Sequence, residues 1–192
     1  MTATTQEKIV AAARQLFETE GAGAVSMRRV ADAVGITPMA IYRHFTNREE
    51  LLKHISDIAF EEVAQEWAAR AQHPDLMHGL LHSMENYLDY ALQHPHLFDY
   101  SFSVARDDAR RFPEDFRARK SPTLNVVADM LEEGVRRGLL RECDPWDLAM
   151  VLWGQAHGLI ALYRAGRFSY DEAQFRAFYL QSLGVLFDGI KR

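Results

Sequence analysis

The chain has 192 residues, of which 48% are hydrophobic and 26% charged, a composition typical of a globular protein with one core or with a small domain joined to a larger one. Its longest apolar run, residues 148–162, is too short for a membrane span, and the N-terminal segment lacks the apolar core of a secretory signal. The single cysteine, Cys143, excludes an intrachain disulfide, so we expect a protein of the reducing cytoplasm.

The net charge of −5 is distributed unevenly along the chain. Residues 1–53 contain seven Lys or Arg and six Asp or Glu, a net charge of +1, whereas residues 54–192 contain fifteen and twenty-one, a net charge of −6. Four arginines and a single aspartate lie within residues 22–48. Because salt screens charges beyond about 8 Å in the cell, this local basic patch decides whether the N-terminal region can bind a polyanion.

The N-terminal region predicts a series of short helices. Residues 5–20 repeat apolar side chains at helical spacing, and Gly21 ends that helix. Ser26 is placed to cap a second helix, which ends at Gly35 in a left-handed conformation. The side chains that this second helix is expected to bury are Val30, Ala31 and Val34.

A third and a fourth helix follow the glycine. Thr37 caps the third, and Pro38 occupies its first position, where the missing N–H of proline costs nothing. Asn47 caps the fourth helix, which is expected to run to about residue 71, and Glu50 completes an N-x-x-E capping box. Two apolar side chains of the third helix are expected to face inward, Ile41 and Phe45.

The remainder of the chain predicts further helices. A short aromatic segment, residues 95–103, precedes residues 104–120, which are charged and predict a loose linker. No segment alternates in the way a strand does, so the predicted fold class is all-α. The longer helical segments are residues 75–93, 121–138, 145–165 and 171–189.

Residues 26–45 match a helix-turn-helix, since two short helices are joined by a tight glycine turn. In such a motif the first helix packs on the DNA backbone and holds the second in the major groove. A cation at Arg48 opposes the dipole at the start of the fourth helix, and a nearby phosphate would account for it. The predicted DNA-binding residues are Ser26, Arg28, Thr37, Pro38, Met39, Ala40, Tyr42, Arg43, His44 and Arg48.

Residues 9–52, IVAAARQLFETEGAGAVSMRRVADAVGITPMAIYRHFTNREELL, resemble the N-terminal DNA-binding domain of the TetR family of transcriptional regulators. Pro38 and Met39 depart from the small or polar residues that are frequent there, which bears on the operator that is read. The resemblance implies an all-α homodimer. Residues 1–50 would form a three-helix helix-turn-helix domain, and residues 51–192 a helical bundle that binds a ligand and dimerises through its last two helices.

A weaker resemblance concerns the second domain. The segment LWGQAHGLIAL, residues 152–162, is similar to the Trp-His-Gly element of one C-terminal subfamily. Aromatic side chains with a few polar groups among them suit an apolar pocket. The absence of Lys and Arg from the inward stripes favours a small apolar or aromatic effector, uncharged or weakly cationic. The predicted ligand-binding residues are His82, Asn86, Tyr90, Phe98, Phe102, Trp153 and His157.

The two C-terminal helices carry more apolar surface than one chain of this length is expected to hide. A four-helix interface between two subunits would bury that surface, as in obligate dimers. The side chains concerned are Trp146, Leu148, Leu152, Ile160, Phe175, Phe178, Tyr179, Leu183, Leu186 and Phe187.

Other kinds of site have weaker support. His78 and His82 have the i, i+4 spacing of a metal-binding pair, but no further ligands are arranged to complete a zinc site, so we expect no metal and no cofactor. No nucleophile–base pair, phosphate loop or dinucleotide fingerprint predicts an enzyme. The sequence therefore predicts a ligand-responsive repressor whose partners are a pseudo-palindromic double-stranded DNA operator, a small effector and a second copy of the chain, with no membrane. The alternative is an all-α small-molecule carrier or protein-interaction module without DNA binding.

Overall fold

The computed structural model describes residues 3–70, 75–102 and 109–192, which fold into α-helices. Within these ranges no residue belongs to a β-strand, and one isolated bridge pairs Leu140 with Lys191. The predicted all-α fold class is confirmed. None of the described helices is long and apolar enough to cross a membrane. The helices are α1 (Thr5–Glu20), α2 (Met27–Val34), α3 (Pro38–Ile41), α4 (Arg48–Arg70), α5 (Leu76–Gln93), α6 (Pro95–Phe102), α7 (Glu114–Arg117), α8 (Pro122–Arg136), α9 (Pro145–Arg164) and α10 (Glu172–Ile190).

The chain divides into two compact units. The first comprises Met1–Phe60 and Gln93–Asp107, and the second comprises Glu61–Leu92 and Asp108–Arg192. The division predicted from the sequence, between residues 50 and 51, assigns α6 to the C-terminal domain. In the structure α6 belongs to the same compact unit as α1, α2 and α3.

Side-chain contacts with α1 and α4 place α6 in the first unit. The ring of Tyr100 meets the ring of Phe17 edge-on, with centroids 5.3 Å apart and planes at 89°. The hydroxyl oxygens of Ser101 and Ser56 lie 3.1 Å apart. Contacts between residues this distant in sequence leave no trace in the local apolar spacing, which is why the sequence analysis did not assign α6 to this unit.

Helix α1 begins and ends where the sequence predicts. Thr4 and Glu7 form a capping box, in which the Thr4 Oγ1 accepts from the Glu7 N–H and the Glu7 carboxylate accepts from the Thr4 N–H. Gly21 ends the helix with a φ of 84°, a value that disfavours any residue with a side chain. The ring of His96 lies 3.2 Å from the position that a Cβ at Gly21 would occupy, so the site also lacks room for one.

The helix-turn-helix follows after a 3-10 helix, Ala22–Ala24. Ser26 caps α2 as predicted, with its hydroxyl 3.2 Å from the N–H of Arg29. Gly35 is left-handed, with φ 77° and ψ 34°, also as predicted. Helix α3 ends at Ile41, earlier than predicted, because the chain from there to Phe45 continues as hydrogen-bonded turns.

The start of α4 is capped by Asn47, whose Oδ1 accepts from the N–H of Glu50 at 2.7 Å. The second half of the predicted capping box is wrong. The Glu50 carboxylate accepts from the N–H and the hydroxyl of Thr46, each at 2.6 Å, and not from the N–H of Asn47. Glu50 thereby reaches back one residue further than the capping-box pattern predicts.

The second unit has a core of apolar side chains from α5, α8, α9 and α10. Gly134 of α8 allows the closest approach in this core, since a Cβ there would lie 2.5 Å from Leu76 and 2.6 Å from Leu140. The buried hydroxyl of Tyr179 donates to the carbonyl oxygen of Met84 at 2.8 Å, which ties α10 to α5. Fully buried members of the core include Leu80, Leu88, Val127, Leu131, Leu152, Ile160, Phe175 and Leu183.

The predicted loose linker is ordered in its C-terminal half. Residues 114–117 form α7, and Phe116 is buried against the ring of Trp153, with centroids 6.1 Å apart. The guanidinium of Arg117 donates to Asp144 and Asp147 at the start of α9. The linker prediction is therefore wrong for this stretch, because the charged side chains pair with α9 while one apolar side chain is buried. Residues 103–108 lie outside the described residues.

Candidate DNA-binding surface and effector site

Two buried side chains anchor α3 and the turns after it, while the opposite side is exposed. Ile41 and Phe45 are buried, as predicted from their spacing. Met39 is 71% exposed and Tyr42 is 49% exposed, although both are large and mainly apolar. The other predicted DNA-binding residues of this segment are also accessible. Those that are exposed are Thr37, Pro38, Arg43 and His44, and Ala40 is partly exposed. The segment can therefore offer these side chains to a groove without disturbing its own core.

Helix α2 carries two arginines whose side chains differ in their contacts. Arg28 is exposed, and neither its guanidinium nor that of Arg43 forms a hydrogen bond or ion pair with another residue that the structure describes. Arg29 instead pairs with both carboxylate oxygens of Glu20, at 2.8 and 3.0 Å, and these bonds lower the pKa of the Glu20 carboxyl. Ser26 is partly exposed, and its hydroxyl accepts the capping hydrogen bond.

Arg48 does not point away from the protein as the predicted phosphate contact requires. Its Nε donates to the carbonyl oxygen of Val25 at 2.7 Å, and its Nη2 donates to that of Ala22 at 2.5 Å. Its Nη1 lies 3.3 Å from the carboxylate of Glu49. Backbone carbonyls thus explain the cation in the first turn of α4, and a phosphate is not needed to account for it.

In the second unit, three aromatic side chains form a chain of hydrogen bonds. The Trp153 Nε1 donates to the hydroxyl of Tyr87 at 3.0 Å, and that hydroxyl lies 3.0 Å from the Nδ1 of His157. The ring of Trp67 packs edge-on against Tyr87, with centroids 6.1 Å apart. We call Tyr87, Trp153 and His157 the aromatic trio.

The direction of these bonds follows from the chemistry of the groups. An indole N–H can only donate, so the Tyr87 hydroxyl accepts from Trp153 and has its own proton for the Nδ1 of His157. Burial lowers the pKa of His157, which favours the neutral ring that this arrangement needs. Burial also raises the pKa of Tyr87, so its hydroxyl keeps its proton.

Family models match both parts of the chain. A model described as bacterial regulatory proteins of the tetR family matches residues 9–55. A model described as a tetracyclin repressor-like C-terminal domain matches residues 80–183, which is more than half of the chain. The chain belongs to the tetR family. It is therefore a helix-turn-helix transcriptional regulator, and the resemblance read from residues 9–52 is confirmed.

Individual relatives of this tetR-family regulator are distant. The HTH-type transcriptional repressor AcnR of Corynebacterium efficiens is 29% identical over 72% of the chain and 66% of its own length. The uncharacterized HTH-type transcriptional regulator YhgD of Bacillus subtilis is 26% identical over 75% of the chain and 76% of its own. The structure of the Bacillus subtilis regulator FadR in complex with stearoyl-CoA superposes with a TM-score of 0.74 at 16% identity, covering 95% of this chain and 98% of that one. The last likeness shows the fold alone.

The predicted effector site is only partly assembled around the aromatic trio. His82 lies on a different face of α5, where its Nδ1 is 3.4 Å from Glu85, and Glu85 in turn pairs with Arg176 of α10. Asn86 and Tyr90 are buried side chains of the same helix. Tyr87 was not among the predicted site residues. It lies five residues from His82, so the two side chains are on different sides of α5.

Phe98 and Phe102 lie in the first unit. Their rings are 5.1 Å apart, and the ring of Phe102 packs edge-on against Phe60 at 5.5 Å. Of the seven predicted ligand-binding residues, the structure thus brings Trp153 and His157 together with Tyr87, which was not predicted.

The histidine pair at positions 78 and 82 stacks with ring centroids 6.3 Å apart. Over the parts of the chain that the structure describes, no three His, Cys, Asp or Glu side chains are grouped so as to hold a metal ion. The nearest carboxylate to His82 is that of Glu85, on the same helix.

The C-terminal helices of this tetR-family regulator bury one face and expose another. The prediction that one chain cannot hide their apolar side chains is wrong for most of those named, which are buried within a single chain. The outer face still exposes Val151, by 57%, and Leu162 on α9, together with Val185, by 69%, on α10. From residue 148 to 162, α9 carries no Lys, Arg, Asp or Glu. The predicted side chains that are buried within the chain are Leu152, Ile160, Phe175, Tyr179, Leu183 and Phe187.

Proposed function

We propose that this tetR-family regulator is a ligand-responsive repressor, which binds a pseudo-palindromic operator as a homodimer and leaves it when a small effector binds in the second unit. The observation that carries the proposal concerns residues 37–45, which we call the α3 segment. Its outer side chains are exposed, whereas Ile41 and Phe45 are buried and anchor it. The description of the relative AcnR as a repressor supports the direction of control. Since such a protein acts on chromosomal DNA, we also propose a cytoplasmic location.

The α3 segment of each subunit would enter a major groove of the DNA. Arg43 is the best candidate for base readout, because a guanidinium can bond the O6 and N7 of guanine together. Tyr42 suits a phosphate through its hydroxyl, and Arg28 suits one from α2. The two half-sites would lie one helical turn apart, about 34–36 Å, as the symmetry of a dimer requires.

The proposed dimer interface is the outer face of α9 and α10. Its exposed valines and leucine form an uncharged stripe, which an isolated chain would leave in water. Gly154 and Gly158 also lie on this face of α9, and a Cβ at either position would meet no atom within 4 Å. They would therefore let a second helix approach closely without being needed for the packing of their own subunit.

A bulky residue at one glycine tests the interface. We expect the wild-type chain to sediment as a dimer at micromolar concentration and Gly154→Leu to sediment as a folded monomer, because the added side chain obstructs the partner. Ala173→Leu, on an exposed part of α10 outside the stripe, adds an apolar side chain and should leave the dimer intact. A wild-type monomer, or a dimeric Gly154→Leu, would remove this face from the interface.

The effector is proposed to bind at the aromatic trio. The trio offers aromatic surface with a few polar atoms, and a buried anion without a cationic partner would cost several kcal/mol. We therefore propose a small apolar or aromatic effector that is uncharged or weakly cationic. Because FadR is described in complex with stearoyl-CoA, phosphorylated acyl thioesters form the opposing group of compounds in the test.

Two experiments test the whole proposed function: the selection of a DNA motif by the protein, and the release of the protein from that DNA by an effector. Wild-type protein should enrich a palindromic motif from a random duplex library, and uncharged aromatic compounds should release it from the selected duplex. Trp153→Ala and His157→Ala should lose the release while they still bind DNA. Failure to enrich any motif would contradict the DNA-binding proposal. Release by acyl thioesters alone, or release unaffected by both substitutions, would contradict only the proposed effector site.

A further inference from the structure

Two arginines converge on the backbone of the short turn between α1 and α2. Arg48, the first residue of α4, donates to the carbonyl oxygen of Val25 at 2.7 Å and to that of Ala22 at 2.5 Å. Arg29 of α2 donates to the carbonyl oxygen of Ala24 at 3.2 Å. The turn is therefore held by one side chain from the helix that follows it and by another from α4.

Arg48 needs such partners, because its position at the start of a helix is unfavourable for a cation. The carbonyl oxygen of Ala22 also accepts from the N–H of Val25 at 3.2 Å, and its second lone pair takes the bond from Arg48. Hydrogen bonds from a charged donor are about twice as strong as neutral ones. Two of them account for the arginine without any contact to DNA.

The first turn of α4 is also bonded to the chain that leaves α3. Asn47 caps Glu50, and the Glu50 carboxylate accepts from the N–H and the hydroxyl of Thr46. Thr46 directly follows Phe45, the buried anchor of the α3 segment. The start of α4 thus holds the chain that enters the helix-turn-helix, through Arg48, and the chain that leaves it, through Glu50.

We propose that Arg48 is a positioning residue for DNA binding, which fixes the orientation of α2 and α3 by holding α4 against the turn at residues 22–25, and that it does not neutralise a phosphate. The proposal rests on the DNA-binding function proposed above. Lysine cannot replace arginine in this role, because a single ammonium lacks the planar fork that reaches two carbonyl oxygens at fixed separation. Lysine could replace arginine at a phosphate, where a point charge is sufficient.

This difference between the two roles defines the experiment. Arg48→Lys, Arg48→Gln and wild-type protein are compared by fluorescence anisotropy over a series of salt concentrations. The probes are a duplex of about 30 base pairs that wild-type protein has selected from a random library, long enough for two half-sites, and a scrambled duplex of the same composition. Arg137→Gln, which removes an exposed arginine at the end of α8, controls for the change in net charge. Thermal unfolding of each variant fixes a temperature at which all are folded.

We expect both Arg48 variants to bind the selected duplex about tenfold more weakly than wild type and the scrambled duplex equally well. The dependence of log Kd on log salt should keep the wild-type slope, because no phosphate contact is lost. A variant that is merely less stable would lower binding to both duplexes alike, so the ratio of selected to scrambled affinity separates positioning from stability.

Four outcomes would overturn the inference. Wild-type affinity in Arg48→Lys, with a slope smaller by about 0.9 in Arg48→Gln, would show a phosphate contact. Unchanged affinity in both variants, or an equal loss on both duplexes, would show that Arg48 does not set the orientation of the motif. If wild-type protein selects no sequence and binds neither duplex, the proposed function fails and this inference with it.

Discussion

The two candidate sites of this regulator differ in how their polar groups are satisfied. The guanidinium groups of Arg28, on α2, and of Arg43, just after α3, have no hydrogen-bonding partner among the described residues. In the second unit, the Tyr87 hydroxyl already bonds with Trp153 and with His157. Under the proposed function, DNA would gain the arginine donors without breaking an internal bond, whereas an effector would have to replace existing hydrogen bonds. We expect the first site to supply affinity and the second to discriminate between ligands that can and cannot make that replacement.

The largest expected effect is on the free energy of unfolding, and it distinguishes the buried side chains of the first site from the exposed ones. Phe45→Ala removes a buried ring of the α3 segment and should lower the free energy of unfolding by about 3–5 kcal/mol. Met39→Ala, on the exposed side of the same segment, should change it by no more than about 0.5 kcal/mol. Urea unfolding followed by circular dichroism measures both. Comparable losses in the two variants would mean that the exposed face also supports the fold.

The next effect concerns the affinity that an arginine without internal partners can supply. Arg43→Ala should weaken binding to the selected duplex by about 1–3 kcal/mol and relax the base preference at one position in each half-site. Its stability should be unchanged, since no internal bond is lost. Repeating the selection with the variant is the measurement. The same motif returned with full information at every position would mean that Arg43 contacts only the backbone.

A smaller effect is expected at the aromatic trio, where internal bonds are lost. Tyr87→Phe removes the hydroxyl that accepts from Trp153 and donates to His157, which should cost about 1–2 kcal/mol of unfolding free energy. Tyr163→Phe is the matched control, because its ring stacks on Phe175 and its hydroxyl makes no hydrogen bond with a described residue. Equal stability of the two variants would show that the trio contributes nothing to the folded state, and the contrast between the sites would be lost.

The sequence was sufficient where a feature depends on neighbouring residues. The caps at Ser26 and Asn47 and the left-handed Gly35 need only a few residues of context, and each was predicted correctly. The buried positions of Ile41 and Phe45 follow from a spacing of one helical turn. The candidate DNA-binding residues between Thr37 and His44 form one short continuous segment, so the exposure of their side chains could be predicted from the same local rules.

The second site depends on contacts between distant parts of the chain. Tyr87 and His157 meet because α5 and α9 pack together, and no local pattern specifies which side chains face each other there. His82 was predicted in the site from its helix alone, yet its face of α5 pairs with α10 through Glu85 and Arg176. The internal bonds of Arg48 could not be predicted for a similar reason, because the carbonyl groups that it binds lie more than twenty residues earlier in the chain.

The smallest predicted effect is a pH dependence of stability at the aromatic trio. Burial lowers the pKa of His157 below its ordinary value of 6.5, so the folded state takes up a proton less readily than the unfolded chain does. As the pH falls through about 6.5, the unfolded state gains protons first, and the free energy of unfolding decreases; above that pH, His157 contributes no pH dependence.

One histidine variant isolates this effect. His157→Gln removes the titrating ring and should reduce the loss of stability between about pH 7.5 and pH 5.5 relative to wild type. Solvent reaches part of His157, so the difference is expected to be smaller than the effect of Tyr87→Phe. Urea unfolding at the two pH values measures it. An identical loss of stability in wild type and His157→Gln would mean that protonation does not disturb the trio, and that its bond to Tyr87 is as replaceable as a contact with water.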